Sequence, residues 1–223
     1  MDDEEYNLMR RVQHEHWWWL GRKRIIAALL AERFAGRSDL AVADVGCGFG
    51  VHLPLLLSYG EVSAVETHPA ALEFLKLQWE GRVRIIDARI PDKLDRRFDL
   101  ILMADVLEHI DDDARAVDWL CEHLNDGGSV LLTVPAHRFF WTGMDEKVGH
   151  CRRYSKAELA RIVARRFDID RISYYNMALF PVKAAMVIFD RLRTMLRPQA
   201  PKRSYNELPP RPVNCLFRAI LEA

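Results

Sequence analysis

The chain has 223 residues, enough for one sizeable domain with a real core. Half of the residues are hydrophobic and 29% are charged, as in an ordinary soluble globular protein. Lys and Arg balance Asp and Glu at 32 each, so the chain lacks the basic face that a nucleic-acid partner requires.

The acidic start MDDEEYN has none of the features of a signal peptide. Residues 4–35 read as helical in two pieces, broken near Trp19–Gly21. The second piece, RKRIIAALLAERF, spaces its apolar residues at helical intervals and stops at Gly36. At the break stands HEHWWWLGRKR. Consecutive side chains of a helix point about 100° apart. Trp17, Trp18 and Trp19 therefore sweep an arc too wide for one packed stripe, and at least one needs a partner outside its own element. LAVADVG follows as a short apolar strand that enters a glycine-rich turn, and VHLPLLLSYG as a helix with Pro54 tolerable in its first turn. EVSAVET is a strand, HPAALEFLKLQWEG a helix and VRIIDARI a strand. FDLILMADV is a strongly apolar strand. DDDARAVDWLCEHL is a helix with acids at the end its dipole favours, and GGSVLLTVP is another strand. After Pro135 the alternation stops, and AHRFFWTGMDEKVGHCRRY, residues 136–154, reads as an irregular aromatic and charged insertion. SKAELARIVARRF is a helix opened by a capping box, Ser155 with Glu158. FDIDRISYYN reads as a sixth strand. A further helix, the proline-rich RPQAPKRSYNELPPRP and a last short helix, VNCLFRAILEA, complete the chain.

Apolar strands alternating with helices over residues 40–135 mean an α/β fold: a Rossmann-like, mostly parallel sheet with helices on both faces. Three segments follow: an N-terminal helical lid (1–36), a Rossmann-like domain (37–197) carrying the insertion at 136–154, and a proline-rich tail with a short C-terminal helix (198–223). Cys47, Cys121, Cys151 and Cys215 are scattered, form no C-x-x-C pair and fit a reducing cytoplasm. The apolar run MALFPVKAAMVIF contains Pro181 and Lys183 and is too short to span a bilayer. It reads as a helix packed on the domain, the other reading being peripheral contact with a membrane surface. The basic clusters at 21–24 and 151–154 fit a solvated face as well as an anion site.

The chemistry concentrates in ADVGCGFG, residues 43–50, where the first strand meets the first helix of the sheet domain. Glycines there let the backbone approach a ligand closely. An acid, Glu66, with Thr67 beside it, ends the second strand about twenty residues on, the spacing at which a carboxylate grips ribose hydroxyls. In this element order the two features point to a nucleoside ligand. Gly46, Gly48 and Gly50, with Cys47 inside the turn, form G-x-G-x-G, whereas the dinucleotide fingerprint needs its third glycine where Val51 stands. Asp44, two residues before the first glycine, is a poor neighbour for a pyrophosphate and a good one for a ligand with a cationic end. Both features weigh against a nicotinamide oxidoreductase, one alternative for this fold; a non-catalytic cofactor-binding scaffold is the other.

This combination resembles motif I of class I S-adenosylmethionine-dependent methyltransferases, over residues 40–135. The resemblance implies S-adenosylmethionine as cofactor, with Glu66 on the ribose hydroxyls, Asp87 and Ala88 along the adenine, and Ala104, Asp105 and Val106 beside the methionine part. FDLILMADVLEHI looks like the family's fourth-strand motif and implies Glu108 and His109 at the mouth of the site. A narrower resemblance, to a bacterial subgroup of type 11/12 methyltransferases, covers the HWWW opening. It also covers Pro135, Trp141, Asp145, Glu146, Gly149, His150, Arg152, Arg153 and Tyr154 of the insertion. It names a reaction and no substrate. The family sheet has seven strands. After Asn176 no seventh is legible, so either the sheet has six strands or the chain stops before the seventh, and the second is the expectation.

Methyl transfer from a sulfonium needs the acceptor aligned in line with the S–CH₃ bond, water excluded, and a base where the acceptor carries a proton. Ligands of such sheets lie outside the carboxyl ends of the strands, so the N-terminal helices and the insertion should build the acceptor pocket. One reading makes Trp17, Trp18 and Trp19 a lid whose ring faces suit a cationic sulfonium; the other makes them a packed helix cap. His150 and His109 are the candidate bases, since histidine titrates near neutrality, and Tyr154 stands with them as a candidate catalytic group. Each histidine could equally serve structure. Asp145 and Glu146 could orient a base or bind a cation on the substrate, or form a surface turn. Arg152 and Arg153 could hold an acidic group of the acceptor or pair with those two acids. Tyr175 and Asn176 line the pocket or pack the core. His14, Glu15 and His16 lack a third and fourth ligand, so no metal is expected. The acceptor expected is a small molecule, methylated at oxygen or nitrogen.

Overall fold

The computed structural model describes residues 3–196 and 206–222. Part of the proline-rich tail, residues 197–205, lies outside the described residues. Strand β1 (Leu40–Val45) pairs in parallel with β2 (Gly60–Glu66) on one side and β4 (Phe98–Ala104) on the other. β3 (Arg84–Asp87) extends the first edge and β5 (Leu124–Thr133) the second, giving the order β3-β2-β1-β4-β5, parallel throughout. The chain runs outward from β1 to β3 and then returns to place β4 on the opposite side of β1. The carboxyl ends of β1 and β4 thus part at the topological switch point, where open α/β sheets bind ligands.

Period-two alternation fills both faces of the sheet. Val42, Leu100 and Leu102 meet Ile26 and Leu30 of α2 (Trp17–Phe34), Leu53 and Leu56 of α3 (Leu53–Leu56) and Leu75 of α4 (Pro69–Trp79). Ala43, Val45, Ile101 and Met103 face the other way, onto Ala116, Trp119 and Leu120 of α5 (Asp113–Glu122) and Leu159 and Ile162 of α7 (Lys156–Val163). The expected α/β architecture with helices on both faces is the one observed. Ser155 and Glu158 close their capping box on α7.

Four expectations are corrected. The helical break falls at Gln13–His16, between α1 (Asp3–Val12) and α2, and not at Trp19–Gly21. Gly21 sits inside a continuous helix because a Cβ there would collide with Leu221 of α9 (Arg211–Glu222), the C-terminal helix packed on α2. The imidazole of His16 accepts from the Trp18 N–H at 3.1 Å and starts α2. Burial pushes its pKa down to about 4, which keeps that nitrogen unprotonated. Second, residues 168–176 form no strand. An extended chain becomes a strand only beside an edge to pair with, and here side chains hold it instead. Arg171 binds Glu32 at 2.9 Å, and the Tyr174 hydroxyl accepts from the Lys156 N–H at 3.0 Å. Third, the insertion is not wholly irregular. It holds α6 (Gly143–Val148), opened by a capping box of Thr142 and Asp145 and closed by left-handed Gly149. Fourth, α8 (Phe180–Leu196) hardly packs: Val187 alone is buried, while Ile188, Phe189, Leu192, Met195 and Leu196 are at least half exposed. Among the described residues no helix is long and apolar enough to cross a membrane.

Candidate active site

The carboxyl ends of β1, β2 and β4 open into one cavity of about 1450 Å³, roofed by α1, the start of α2 and the insertion. At its glycine-turn end, Gly46 and Gly48 hold left-handed backbones, φ 66° and 56°. A Cβ on Gly46 would strike Val106, whereas one on Gly48 would meet only the Met9 methyl, at 3.7 Å. Asp44 is buried beside the turn, and its Oδ2 has no hydrogen-bond partner. Burial pushes its carboxyl up to about 7, against the pull of Arg22. Glu66 turns back on the chain and accepts the N–H groups of Gly48, Thr67 and His68 at 2.7, 2.8 and 2.9 Å, which ties the turn to the end of β2. Tyr6 of α1 covers this region. Its ring stacks on His68 at 3.8 Å and meets Phe49 edge-on at 5.2 Å, and its hydroxyl bonds Glu66.

The three tryptophans find three different partners. Trp17 sets its ring edge-on to Phe217 of α9 at 5.3 Å, and its N–H donates to Asn214 Oδ1 at 2.9 Å. Trp18 stacks on Tyr175 at 5.7 Å. Trp19 turns inward to 6% exposure, edge-on to His16. All three line the cavity.

The insertion end is a network of buried charge. Arg22 reaches from α2 to ion-pair with Asp105, which also accepts from the Thr133 hydroxyl at 2.9 Å. Burial acts to lower the pKa of Arg22, and Asp105 outweighs it. Asp105 holds a left-handed backbone at φ 57°, a strained state for a non-glycine residue. Glu108 and His109 follow in a 3-10 turn, Leu107–His109. Opposite lies His150, whose Nδ1 bonds Asp145 Oδ1 at 2.8 Å. Asp145 also accepts from Arg153 Nε at 2.7 Å and from the Thr142 N–H at 2.9 Å. Burial pushes Asp145 upward, but the His150 and Arg153 hydrogen bonds prevail and hold it at about 2. Burial, then His150, pushes His109 down to about 4.

Residues 18–168 match the family described as "Methyltransferase domain". The chain belongs to the methyltransferase-domain family. A "Probable S-adenosylmethionine-dependent methyltransferase" of Mycolicibacterium smegmatis is 27% identical over 151 residues, covering 66% of this chain and 57% of that protein. The ubiquinone biosynthesis O-methyltransferase of Alkalilimnicola ehrlichii is 29% identical over 111 residues, covering 47% of this chain and 45% of that one. The chain thus spans about half the length of these relatives. Among solved structures, a Bacillus halodurans C-125 protein provisionally assigned as a methyltransferase superposes with a TM-score of 0.58. It is 16% identical and covers 78% of this chain and 85% of its own. The family match and the fold together make this a class I methyltransferase domain, and neither favours the nicotinamide alternative.

In the methyltransferase domain, Asp44, Gly46, Cys47, Gly48, Glu66, Thr67, Ala88, Ala104, Asp105 and Val106 line the cavity. Gly50 does not, and a Cβ on it would press on Leu53 and Leu75. Asp87 is exposed at the end of β3, beside a separate shallow depression. His109, Asp145, His150, Arg153, Tyr175 and Asn176 face the cavity. Tyr154 does not: its ring is 3% exposed in the core under α5 and its hydroxyl bonds Asp113 at 3.0 Å. Arg152 pairs with Asp113 at 2.8 Å, Glu146 is exposed, and neither they nor Trp141 reach the cavity. Sequence reasoning passed over Tyr6, Arg22 and His52, which also line it. For Arg22 the signal was present. Trp19, Arg22, Ile26 and Leu30 form the buried stripe of α2, so a cation stood where the period demands an apolar residue.

Proposed function

We propose that the domain methylates a small-molecule acceptor, at oxygen or nitrogen, inside this cavity. One observation carries the reading. A single cavity joins the glycine turn, with the partnerless carboxylate oxygen of Asp44, to the half-buried histidines His109, after β4, and His150, in the insertion. S-adenosylmethionine supplies an electrophilic methyl group when bound. The residues suit such a ligand, because Asp44 offers a buried acceptor for a cationic amino group and Gly46 and Gly48 let the backbone come close. Beyond its three backbone bonds Glu66 holds only the Tyr6 hydroxyl, whose place a ribose hydroxyl can take, and Ala88 forms an apolar wall for a base. Tyr6 and Trp17, Trp18 and Trp19 close the roof and keep water out, and their faces favour a cation. The acceptor enters at the insertion end, where Glu108, His109 and His150 activate it and Asp145 orients His150.

The reading is tested by calorimetry with S-adenosylhomocysteine and NADH as ligands. Micromolar binding of S-adenosylhomocysteine alone is the expected result, followed by methyl transfer to one member of a panel of hydroxyl- and amine-bearing small molecules. Binding of neither ligand, or stoichiometric binding with no transfer across the panel, overturns it.

A further inference from the structure

The groups at the insertion end fit together in a way that proton transfer does not explain. Glu108 is fully buried, and neither of its carboxylate oxygens has a hydrogen-bond partner. Leaving a buried carboxylate so is costly, and such groups are paired or bind metal. His109 contacts the Gly149 carbonyl through Nδ1 at 3.1 Å. A carbonyl only accepts, so Nδ1 carries the proton and Nε2 keeps its lone pair. His150 contacts Asp145 Oδ1 through Nδ1 at 2.8 Å, and that carboxylate already accepts from Arg153 and Thr142, so here too Nδ1 donates and Nε2 is free. His150 Nε2 lies 3.8 Å from Glu108 Oε1, beyond hydrogen-bond reach, and the two imidazoles stand 4.7 Å apart at 71°. One ligand atom from each of Glu108, His109 and His150 lies within 4.8 Å of the others. Two imidazoles and a carboxylate thus lie close enough to share one ion, and each imidazole is held from behind by a carboxylate or a carbonyl. That outer arrangement is how proteins orient metal-binding histidines.

We propose that Glu108, His109 and His150 hold one divalent transition-metal ion of the zinc class. A donor set of two imidazoles and one carboxylate matches the preference of zinc and its neighbours, and three protein ligands leave a coordination position open. All three residues line the cavity, so the open position faces the space where the acceptor lies and takes its nucleophilic oxygen or nitrogen. This last point rests on the methyl-transfer reading above; binding of the ion does not. The histidines of the HEH run, His14 and His16, take no part.

The test is a calorimetric titration of the chelator-treated protein with zinc chloride alone. One equivalent binding at micromolar or lower Kd is expected. His109→Ala and His150→Ala should each weaken it at least about a hundredfold, and Glu108→Gln, which keeps the shape, should do the same. Asp145→Asn, which lies behind His150 and supplies no ligand itself, should weaken it roughly 10–100-fold, and exposed His14→Ala should leave it unchanged. Circular dichroism checks that each variant is folded. Absence of stoichiometric binding to the parent protein, or equal affinity in His109→Ala, Glu108→Gln and the parent, overturns the site. S-adenosylhomocysteine binding without zinc binding rejects the ion and spares the methyl donor; the converse rejects the cavity reading and spares the ion.

Discussion

At the glycine-turn end of the cavity the working groups follow one another along the chain, from Asp44 through Gly46 and Gly48 to Glu66 and His68, and backbone geometry does most of the work. At the insertion end they come from four separate stretches: Arg22 on α2, Asp105 to His109 after β4, Asp145 and His150 around α6, and Tyr175 beyond α7. There the work is done by buried charge, held in place by capping and ion pairing. The first end is a turn with a shape that depends on local φ and ψ. The second is an assembly, and its electrostatics exist only once the domain has folded. The division predicts separable effects of mutation: cofactor affinity at one end, acceptor chemistry at the other.

The largest effect expected is at the insertion end. His150→Ala should lower the methyl-transfer rate by about 10²–10⁴-fold while leaving the calorimetric affinity for S-adenosylhomocysteine within about twofold of the parent. A parallel loss of affinity would show that the two ends are one unit. Gly46→Ala should act in reverse. Its left-handed backbone costs an alanine roughly 1–2 kcal/mol, and the added methyl collides with Val106, so affinity should fall by about 5- to 30-fold or more. A variant that binds normally would remove backbone shape from the account.

The third effect is a pH dependence. Asp44 sits at about 7, and only its ionised form attracts a cationic amino group. Affinity for S-adenosylhomocysteine should therefore hold above pH 7 and weaken as pH falls below it, by up to about tenfold per unit. Asp44→Asn should bind more weakly at pH 8 and flatten the profile; a profile unchanged in the variant would assign the proton elsewhere. The smallest effect belongs to the roof. Trp18→Ala should lower affinity roughly two- to fivefold with the fold retained, whereas unchanged binding in each of the three single Trp→Ala variants would reduce the run to a helix cap.

Much of the cofactor end was legible because its signals are local. G-x-G-x-G after an apolar strand, an acid at the end of the next strand and Asp44 before the first glycine need only short-range geometry to be read. Asp87 shows the limit. The position after the third strand was readable, but whether its side chain faced the cavity was not, and it lies outside. At the other end Glu108 and His109 were named together and His150 and Asp145 apart from them, yet nothing in their spacing told that His150 meets the first two. Tyr154, of the same insertion, turned into the core because its hydroxyl found Asp113. The three tryptophans could be seen to need several partners; the identity of those partners, Phe217, Tyr175 and His16, could not.

The sequence by itself determined the five parallel strands, the helices between them and the glycine turn, since hydrophobic period and glycine placement are properties of neighbours in the chain. Tertiary structure alone decided three things. Residues 168–176 stayed off the sheet, held instead by Arg171 on Glu32 and by Tyr174 on the Lys156 N–H. Gly21 became a seat for Leu221 and not a helix break. Arg22 met Asp105, and Glu108 with its neighbour His109 met His150 of the insertion. Each depends on what approaches from far along the chain, and burial gives those contacts their strength, because a charge removed from water must be matched by the partner the fold delivers.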